Sequence, residues 1–132
     1  MLISTRGRYA LRVMADIAAN KTDKYVPLKE ISLRQDISLK YLEGIMTDLS
    51  KANLVIGLHG KGGGYKLSIP PDKITVGSVL KITEGTLAPV TCLSKQENDC
   101  PRKEKCKTLP MWEKLYGLID GFFESVTIND LL

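Results

Sequence analysis

Three short helical patterns followed by a glycine-rich hairpin are the feature that most restricts the fold of this 132-residue chain. Apolar residues recur at spacings of three and four over residues 4–20, 28–35 and 38–52, which is the period of helices with one buried face. Pro27 precedes the second pattern, and Ser38 is well placed to cap the third. The spacing predicts three helices, with a tight turn between the second and the third.

Two short β patterns come next. Residues 54–58 are apolar and include the β-branched residues Val55 and Ile56, whereas residues 64–69 alternate apolar and polar side chains. The five residues between them read His-Gly-Lys-Gly-Gly, a composition typical of the turn of a hairpin. Three helices followed by a two-stranded wing are the order of a winged helix-turn-helix, in which the third helix enters the major groove of DNA.

The second half of the chain is organised differently. Residues 75–84 form a fourth helical pattern, residues 92–106 are a polar loop that carries all three cysteines, and a long amphipathic helix begins after Pro110. The predicted fold class is therefore mainly α with a small β-hairpin wing. We divide the chain into a winged helix-turn-helix DNA-binding domain, residues 1–72, and a region with the cysteine loop and the long C-terminal helix, residues 73–132.

The charges separate the same two halves. The chain carries a net charge of +4, but residues 1–68 hold eleven basic and six acidic side chains, whereas residues 69–132 hold eight and nine. A positive excess confined to one half is expected where that half faces a polyanion. Because no stretch is apolar enough for a membrane helix and the first ten residues lack the core of a signal peptide, we expect a cytoplasmic protein.

The residue types argue against an enzyme. The chain has one histidine, no Ser-His-Asp or Cys-His arrangement, and no nucleotide-binding fingerprint in its glycine run. An odd number of cysteines, crowded into one loop, is not the framework of a secreted disulfide protein. Metal binding and thiol chemistry are therefore both open to the cysteines.

Three elements carry polar side chains suited to contacts with DNA. They are the N-terminal end of the third helix, the hairpin tip and the start of the first helix, where hydroxyls, cations and a carboxylate can bond phosphates or base edges. The candidate DNA-binding residues are Thr5, Arg6, Arg8, Ser38, Lys40, Tyr41, Glu43, His59 and Lys61. The alternative interpretation is that these are ordinary solvated residues and that the glycines serve only the turn.

Several segments resemble a known family in their order and spacing. They are LISTRGRYAL, VPLKEIS, ISLKYLEGIM and NLVIGLHGKGGGYKL, then the three-cysteine segment, MWEKL and TINDLL. Together they cover nearly the whole chain and are similar to the Rrf2 family of bacterial transcriptional regulators, whose members include IscR-like, NsrR-like and CymR-like proteins. The resemblance implies a homodimer that binds a pseudo-palindromic operator in double-stranded DNA, most often as a repressor.

The resemblance also implies a role for the C-terminal helix, which in this family crosses over to pair the subunits. Aromatic residues are enriched at the centres of interfaces, and Trp112, Phe122 and Phe123 are three of the eight aromatic residues of the chain. The expected dimer interface consists of Trp112, Leu115, Tyr116, Ile119, Phe122 and Phe123. The alternative is that this helix packs only on its own subunit.

The cysteines have a spacing close to that of the cluster-binding branch of the family, since Cys92, Cys100 and Cys106 form C-x7-C-x5-C. Thiolates are soft ligands suited to iron–sulfur clusters, and the nearby basic side chains favour the thiolate form. The resemblance implies a 2Fe-2S or 4Fe-4S cluster on these three cysteines and a regulator that senses iron–sulfur or redox status. It identifies no fourth ligand, because IscR-like members have a histidine where this chain has Leu109, and NsrR-like members have an acidic residue where it has Arg8.

Two alternatives stay open. In the first, the protein is a cluster-free regulator of the CymR type, without a cofactor, and is controlled by a regulatory protein partner or by thiol oxidation, or its cysteines hold zinc. In the second, it is a small iron–sulfur electron-transfer protein with no role at DNA. The second predicts little salt-dependent affinity for duplex DNA, whereas a surface with several phosphate contacts predicts a steep loss of affinity with salt.

Overall fold

The computed structural model describes residues 2–20 and 23–132. Its helices are α1 (Thr5–Ala19), α2 (Leu28–Gln35), α3 (Leu39–Lys51), α4 (Val76–Glu84) and α5 (Leu109–Ser125), and its strands are β1 (Val55–Leu58) and β2 (Gly64–Leu67). The predicted class, mainly α with a β-hairpin, is confirmed, and the bounds agree within two residues. Met1, Lys21 and Thr22, which belong to the predicted 1–72 unit, lie outside the described residues. Within the described part of the chain, no helix is long and apolar enough to span a bilayer.

Local sequence explains where the helices begin and end. Ser4, Ser38 and Thr75 precede α1, α3 and α4, and each side chain accepts a hydrogen bond from a backbone N–H in the first turn. This is the preferred role of Ser and Thr at a helix N-cap. Between α2 and α3, Asp36 adopts a left-handed conformation with φ of 53°. That single residue makes the tight turn of the helix-turn-helix.

The hairpin is tied to the start of α2. β1 and β2 pair antiparallel from Val55 opposite Leu67 to Leu58 opposite Gly64. Tyr65 of β2 also exchanges both backbone hydrogen bonds with Val26, at 2.8 and 2.9 Å. Gly64 allows this approach, since it has φ of 146° and a Cβ there would lie 2.2 Å from the Val26 carbonyl oxygen. The wing is therefore held in a fixed place beside the helix-turn-helix.

The larger of two hydrophobic clusters includes the buried face of α1 and joins the winged module to the end of the chain. Its buried residues come from every helix of the module, from β1, from α4 and from the segment after α5. They include Ala10, Val13, Met14 and Ile17 of α1, Ile31 of α2, Leu42, Ile45, Met46 and Leu49 of α3, Val55 of β1, Val79 of α4, and Ile128. Ile128 is fully buried, and its N–H donates to the Ile74 carbonyl at 2.9 Å. The C-terminal segment thus packs against the first half of the chain.

α5 packs on α4 through one face. Tyr116, Ile119 and Phe123 contact a small cluster of buried residues that includes Val76 and Leu80. Beside this cluster, the Lys81 ammonium of α4 lies 2.7 Å from an Asp120 carboxylate oxygen and 3.0 Å from one of Glu124. Hydrogen bonds to Asp120 and Glu124 raise the pKa of Lys81. The ammonium therefore stays charged and fixes α5 along α4.

A nearly buried carboxylate joins α1 to α2. The side chain of Asp16 is only 4% exposed and accepts hydrogen bonds from the Arg34 guanidinium at 2.7 and 3.1 Å and from the Gln35 amide at 2.8 Å. Burial by itself would raise the pKa of Asp16, but the hydrogen bonds from Arg34 and Gln35 outweigh it and lower the pKa below its usual value.

Asp16→Asn should lower the free energy of unfolding at pH 7 by about 1–2 kcal/mol, because a charge-assisted hydrogen-bond pair is lost. Because its pKa is lower in the folded state, Asp16 contributes stability above the usual aspartate pKa of about 3.9 and loses it as the pH falls toward the folded-state value. Urea unfolding at a series of pH values should therefore show the two proteins converging below about pH 4. An equal difference at pH 7 and pH 3 would contradict this role.

Candidate nucleic-acid interface and cysteine segment

The N-terminal end of α3 presents an exposed polar face. Lys40 and Glu43 are exposed, whereas Leu42, which lies between them, is completely buried. Ser38 is part of this end, but its hydroxyl accepts the Tyr41 N–H at 3.2 Å and so acts first as a cap. Lys40 and Glu43 remain as the side chains that can reach outward for phosphates or base edges.

Tyr41 is oriented by α1. Its ring makes an edge-to-face contact with the ring of Tyr9, with centroids 5.5 Å apart, and it stays partly exposed. Tyr9 is in turn covered by the Arg12 guanidinium, 5.1 Å from its ring centroid. Tyr41 is thus a half-packed residue with limited freedom to adjust to a ligand.

A groove separates α3 from the wing and brings two predicted residues together. It has a volume of about 370 Å³, and Glu43 and His59 both line it. Leu39, Leu58 and Lys29 line it as well. None of these three was among the predicted site residues. Leu58 belongs to the apolar pattern of residues 54–58, and Leu39 is apolar, yet both are more than 40% exposed. Lys61 is exposed at the hairpin tip.

The three DNA-contact residues predicted at the start of α1 point in two directions. Thr5 and Arg8 are exposed on the surface, where an Arg8 guanidinium nitrogen donates to the Thr5 hydroxyl at 3.0 Å. Arg6 turns the other way, toward α3, where it donates to the Gly44 carbonyl at 3.0 Å and pairs with Asp48. Thr5 and Arg8 are therefore available to a ligand, whereas Arg6 is engaged within the chain.

α5 carries an apolar stripe that no residue in the described ranges 2–20 and 23–132 covers. Met111, Leu115, Leu118 and Phe122 lie one helical turn apart in succession and are between 38% and 64% exposed. Of the six residues predicted for a dimer interface, Leu115 and Phe122 belong to this stripe. Tyr116, Ile119 and Phe123 instead face α4, and Trp112 is half-buried. Met111 and Leu118 belong to the same helical periodicity but were not in the predicted set.

The three cysteines lie in an irregular segment between α4 and α5. Each is partly buried with a free thiol. The hydrogen bonds described for residues 91–108 are local, such as Cys100 N–H to Asn98 at 2.9 Å and Lys103 N–H to the Cys100 carbonyl at 3.1 Å. Among the described residues, no three His, Cys, Asp or Glu side chains lie close enough together to hold a metal ion. The structure therefore does not bring Cys92, Cys100 and Cys106 together.

Cys106 has a distinct environment, three residues before α5 begins. Its sulfur lies 3.3 Å from the Thr108 hydroxyl. The hydrogen bond from the Thr108 side chain lowers the pKa of Cys106, and the backbone N–H groups of Thr108 and Leu109 and the charge of Arg102 act in the same direction. A thiol at the N-terminus of a helix is a reactive one, because the thiolate is the nucleophile and the ligand.

Comparison with known proteins gives a consistent result. Residues 3–132 match the family model described as Rrf2, iron-dependent transcriptional regulator. The chain is 36% identical over its full length to the HTH-type transcriptional regulator IscR of Aliivibrio salmonicida and covers 77% of that protein.

Solved structures agree in fold. The structure of CymR, the global cysteine regulator of B. subtilis, is similar with a TM-score of 0.79 and 32% identity, covering 99% of this chain and 95% of that one. The structure of T. potens IscR has a TM-score of 0.75 and 32% identity, with 99% and 85% covered. This chain is thus similar both to IscR and to CymR proteins.

Alkylation of Cys106 should proceed with a pH midpoint below that of an ordinary thiol, because its thiolate is stabilised by Thr108. Thr108→Val should move that midpoint upward and slow the reaction at pH 7. Iodoacetamide labelling of the reduced protein, resolved by peptide mass spectrometry, measures the rate at each cysteine. Identical Cys106 profiles in the two proteins would show that Thr108 does not control this thiol.

Proposed function

The chain belongs to the Rrf2 family of transcriptional regulators, and from this premise we propose that it is a homodimeric repressor whose affinity for operator DNA is set by its three-cysteine segment. It is a DNA-binding transcriptional regulator and not an enzyme. The observation that carries the proposal is the uncovered apolar stripe on α5, which begins immediately after the cysteine segment. One region of the chain thereby joins the dimer-forming surface to the sensing residues.

DNA recognition falls to the exposed end of α3 and to the wing. Lys40 and Glu43 are free to point into a major groove, with the wing residues His59 and Lys61 at its side. Lysine can donate to phosphate or to guanine, and glutamate can accept from the cytosine amino group. Thr5 and Arg8, exposed at the start of α1, supply further phosphate contacts.

The stripe on α5 is the surface on which two copies join. Four large apolar side chains in a row on one helix are costly to leave in water, whereas isolated exposed apolar residues are ordinary. Two copies that pair along this stripe bury it and leave both α3 helices exposed. Tyr116, Ile119 and Phe123 then support the interface without contacting the second copy, because they pack α5 against α4 within each copy.

The donor chemistry of the cysteine segment fits an iron–sulfur cluster. Three thiols lie within fifteen residues of one segment that contains no α-helix or strand. Its described hydrogen bonds are local, so that drawing the thiols together breaks no α-helix or sheet. Cys92, Cys100 and Cys106 would hold the cluster, and Arg102, Lys103 and Lys105 would offset its negative charge. When bound, a cluster supplies a redox- and oxidant-sensitive group. Since Cys106 is three residues from Leu109, gathering the thiols would act directly on the start of the dimer helix.

A cluster-free thiol switch is the second candidate. The lowered pKa of Cys106 favours reaction with oxidants or disulfides at neutral pH. The chain is also similar in structure to CymR, at 32% identity. Here the proton leaves Cys106 as Thr108 and the helix N-terminus stabilise the thiolate, without need of a metal.

Leu118→Lys and Phe122→Lys should convert the protein to a monomer, because a charge cannot be buried at the centre of an apolar helix pairing. Sedimentation equilibrium measures the mass, and Leu33→Lys on α2 is the matched control, since Leu33 is 75% exposed and lies outside the stripe. The control should remain a dimer. A wild-type protein that sediments as a monomer, or stripe variants that remain dimers, would contradict the assembly.

Anaerobically purified protein should absorb near about 400–420 nm if the segment holds a cluster. Cys92→Ala should lose that band and shift the affinity for a duplex enriched by the wild-type protein from a random-sequence library. A colourless protein whose affinity changes only on oxidation, and no longer changes in Cys106→Ser, would identify the thiol switch instead. Equal affinity in the loaded, reduced and oxidised states would contradict control by this segment.

A further inference from the structure

Arg6 binds α3, the recognition helix of the proposed function, and is only partly exposed to solvent. It lies on the first turn of α1, and one of its guanidinium nitrogens donates to the Gly44 carbonyl of α3 at 3.0 Å. The same group forms an ion pair with Asp48, one turn further along α3. Both side chains are about two-thirds covered, at 34% and 37% exposure. Arg6 therefore contacts α3 at two positions, on the side of α3 that faces α1.

The first turn of α1 is itself anchored, so that Arg6 has a fixed base. The backbone N–H and the hydroxyl of Ser4 both donate to one carboxylate oxygen of Glu84, at 3.0 and 2.6 Å. The Ser4 hydroxyl also accepts the Gly7 N–H at 3.0 Å. A Cβ at Gly7 would lie 2.3 Å from the Glu84 oxygen, so the two helices meet without a gap.

A second arginine of α1 behaves in the same way. Arg12 donates to the side chain and to the backbone carbonyl of Gln35, the last residue of α2. A cation is well placed there, because the C-terminal carbonyls of a helix carry partial negative charge. α1 thus holds both helices of the helix-turn-helix through arginine side chains.

We propose that Arg6 is a positioning residue and not a phosphate ligand. It sets the orientation of α3 relative to α1 and offsets the negative charge of Asp48. The inference rests on the proposed function, in which α3 reads the operator. Without a partner, the negative charge of the Asp48 carboxylate would repel the DNA backbone. The ion pair with Arg6 offsets that charge and fixes the position of α3 relative to α1. Because Gly44 directly follows Glu43, the hydrogen bond from Arg6 to the Gly44 carbonyl controls the direction of the Glu43 side chain.

The two roles of Arg6 predict opposite effects for Asp48. If Arg6 bound phosphate, removing Asp48 would free the guanidinium and delete a repulsive charge, so binding to any duplex would strengthen. If Arg6 positions α3, removing Asp48 releases the helix and weakens binding to the operator alone. The readout is therefore the ratio of affinities for two duplexes, which the net charge of the protein alone does not change.

The test compares a duplex enriched by the wild-type protein from a random library with an unrelated duplex of equal length. Arg6→Ala and Asp48→Asn should each lower the affinity ratio roughly 3- to 10-fold, although they change the net charge in opposite directions. The double variant should be no worse than the poorer single variant. Asp72→Asn, an exposed control with the same charge change as Asp48→Asn, should leave the ratio unchanged.

Glu84→Gln gives a second measurement that leaves α3 untouched. It weakens the anchor of the first turn, so it should lower the same ratio, by less than Arg6→Ala does. If Asp48→Asn instead tightens binding to both duplexes, and Arg6→Ala reduces the salt slope by about one, Arg6 is a phosphate ligand and the inference is wrong. A wild-type protein that enriches no duplex would contradict the proposed function itself, which distinguishes the two failures.

Discussion

The packing of α1 against the helix-turn-helix is the contact on which the rest of the structure depends. One apolar face of this helix supplies the centre of the core, and burial of the side chains that surround it provides the main driving force for the fold. Around the edge of that face, Arg6, Arg12 and Asp16 bind α3 and α2 with charge-assisted hydrogen bonds. The apolar contact holds the helices together, and the polar contacts set their orientation.

This arrangement leaves two surfaces free for different tasks. The outer end of α3 and the wing stay exposed and polar, as a DNA-reading surface requires. The outer face of α5 stays exposed and apolar, as a surface for a second copy requires. α4 connects them, because Lys81 holds α5 at one side of α4 and Glu84 holds α1 at its end. Glu84 is also the last residue of α4, eight residues before the first cysteine.

The sequence predicted the elements well because their signals are local. Ser4, Ser38 and Thr75 mark helix starts through bonds to residues three positions away, and the glycines mark the hairpin. Two features had no local signal. The first is the ion pair of Arg6, whose partner Asp48 lies 42 residues away. From the sequence alone, an arginine near a helix start is as consistent with a contact to DNA as with an ion pair inside the chain. The periodicity of α5 indicated one wide apolar face. It could not show which residues of that face pack on α4 and which form the exposed stripe, because both sets lie on the same face.

The central claim is that two copies joined through α5 present two α3 helices to one operator. Hydroxyl-radical footprinting of the wild-type protein on its enriched duplex, combined with light scattering of the same complex, tests this most directly. We expect two chains per duplex and two equivalent protected segments, with centres about 34–36 Å apart or a multiple of that distance, as dimeric helix-turn-helix proteins require. One chain per duplex with a single protected segment would contradict the account.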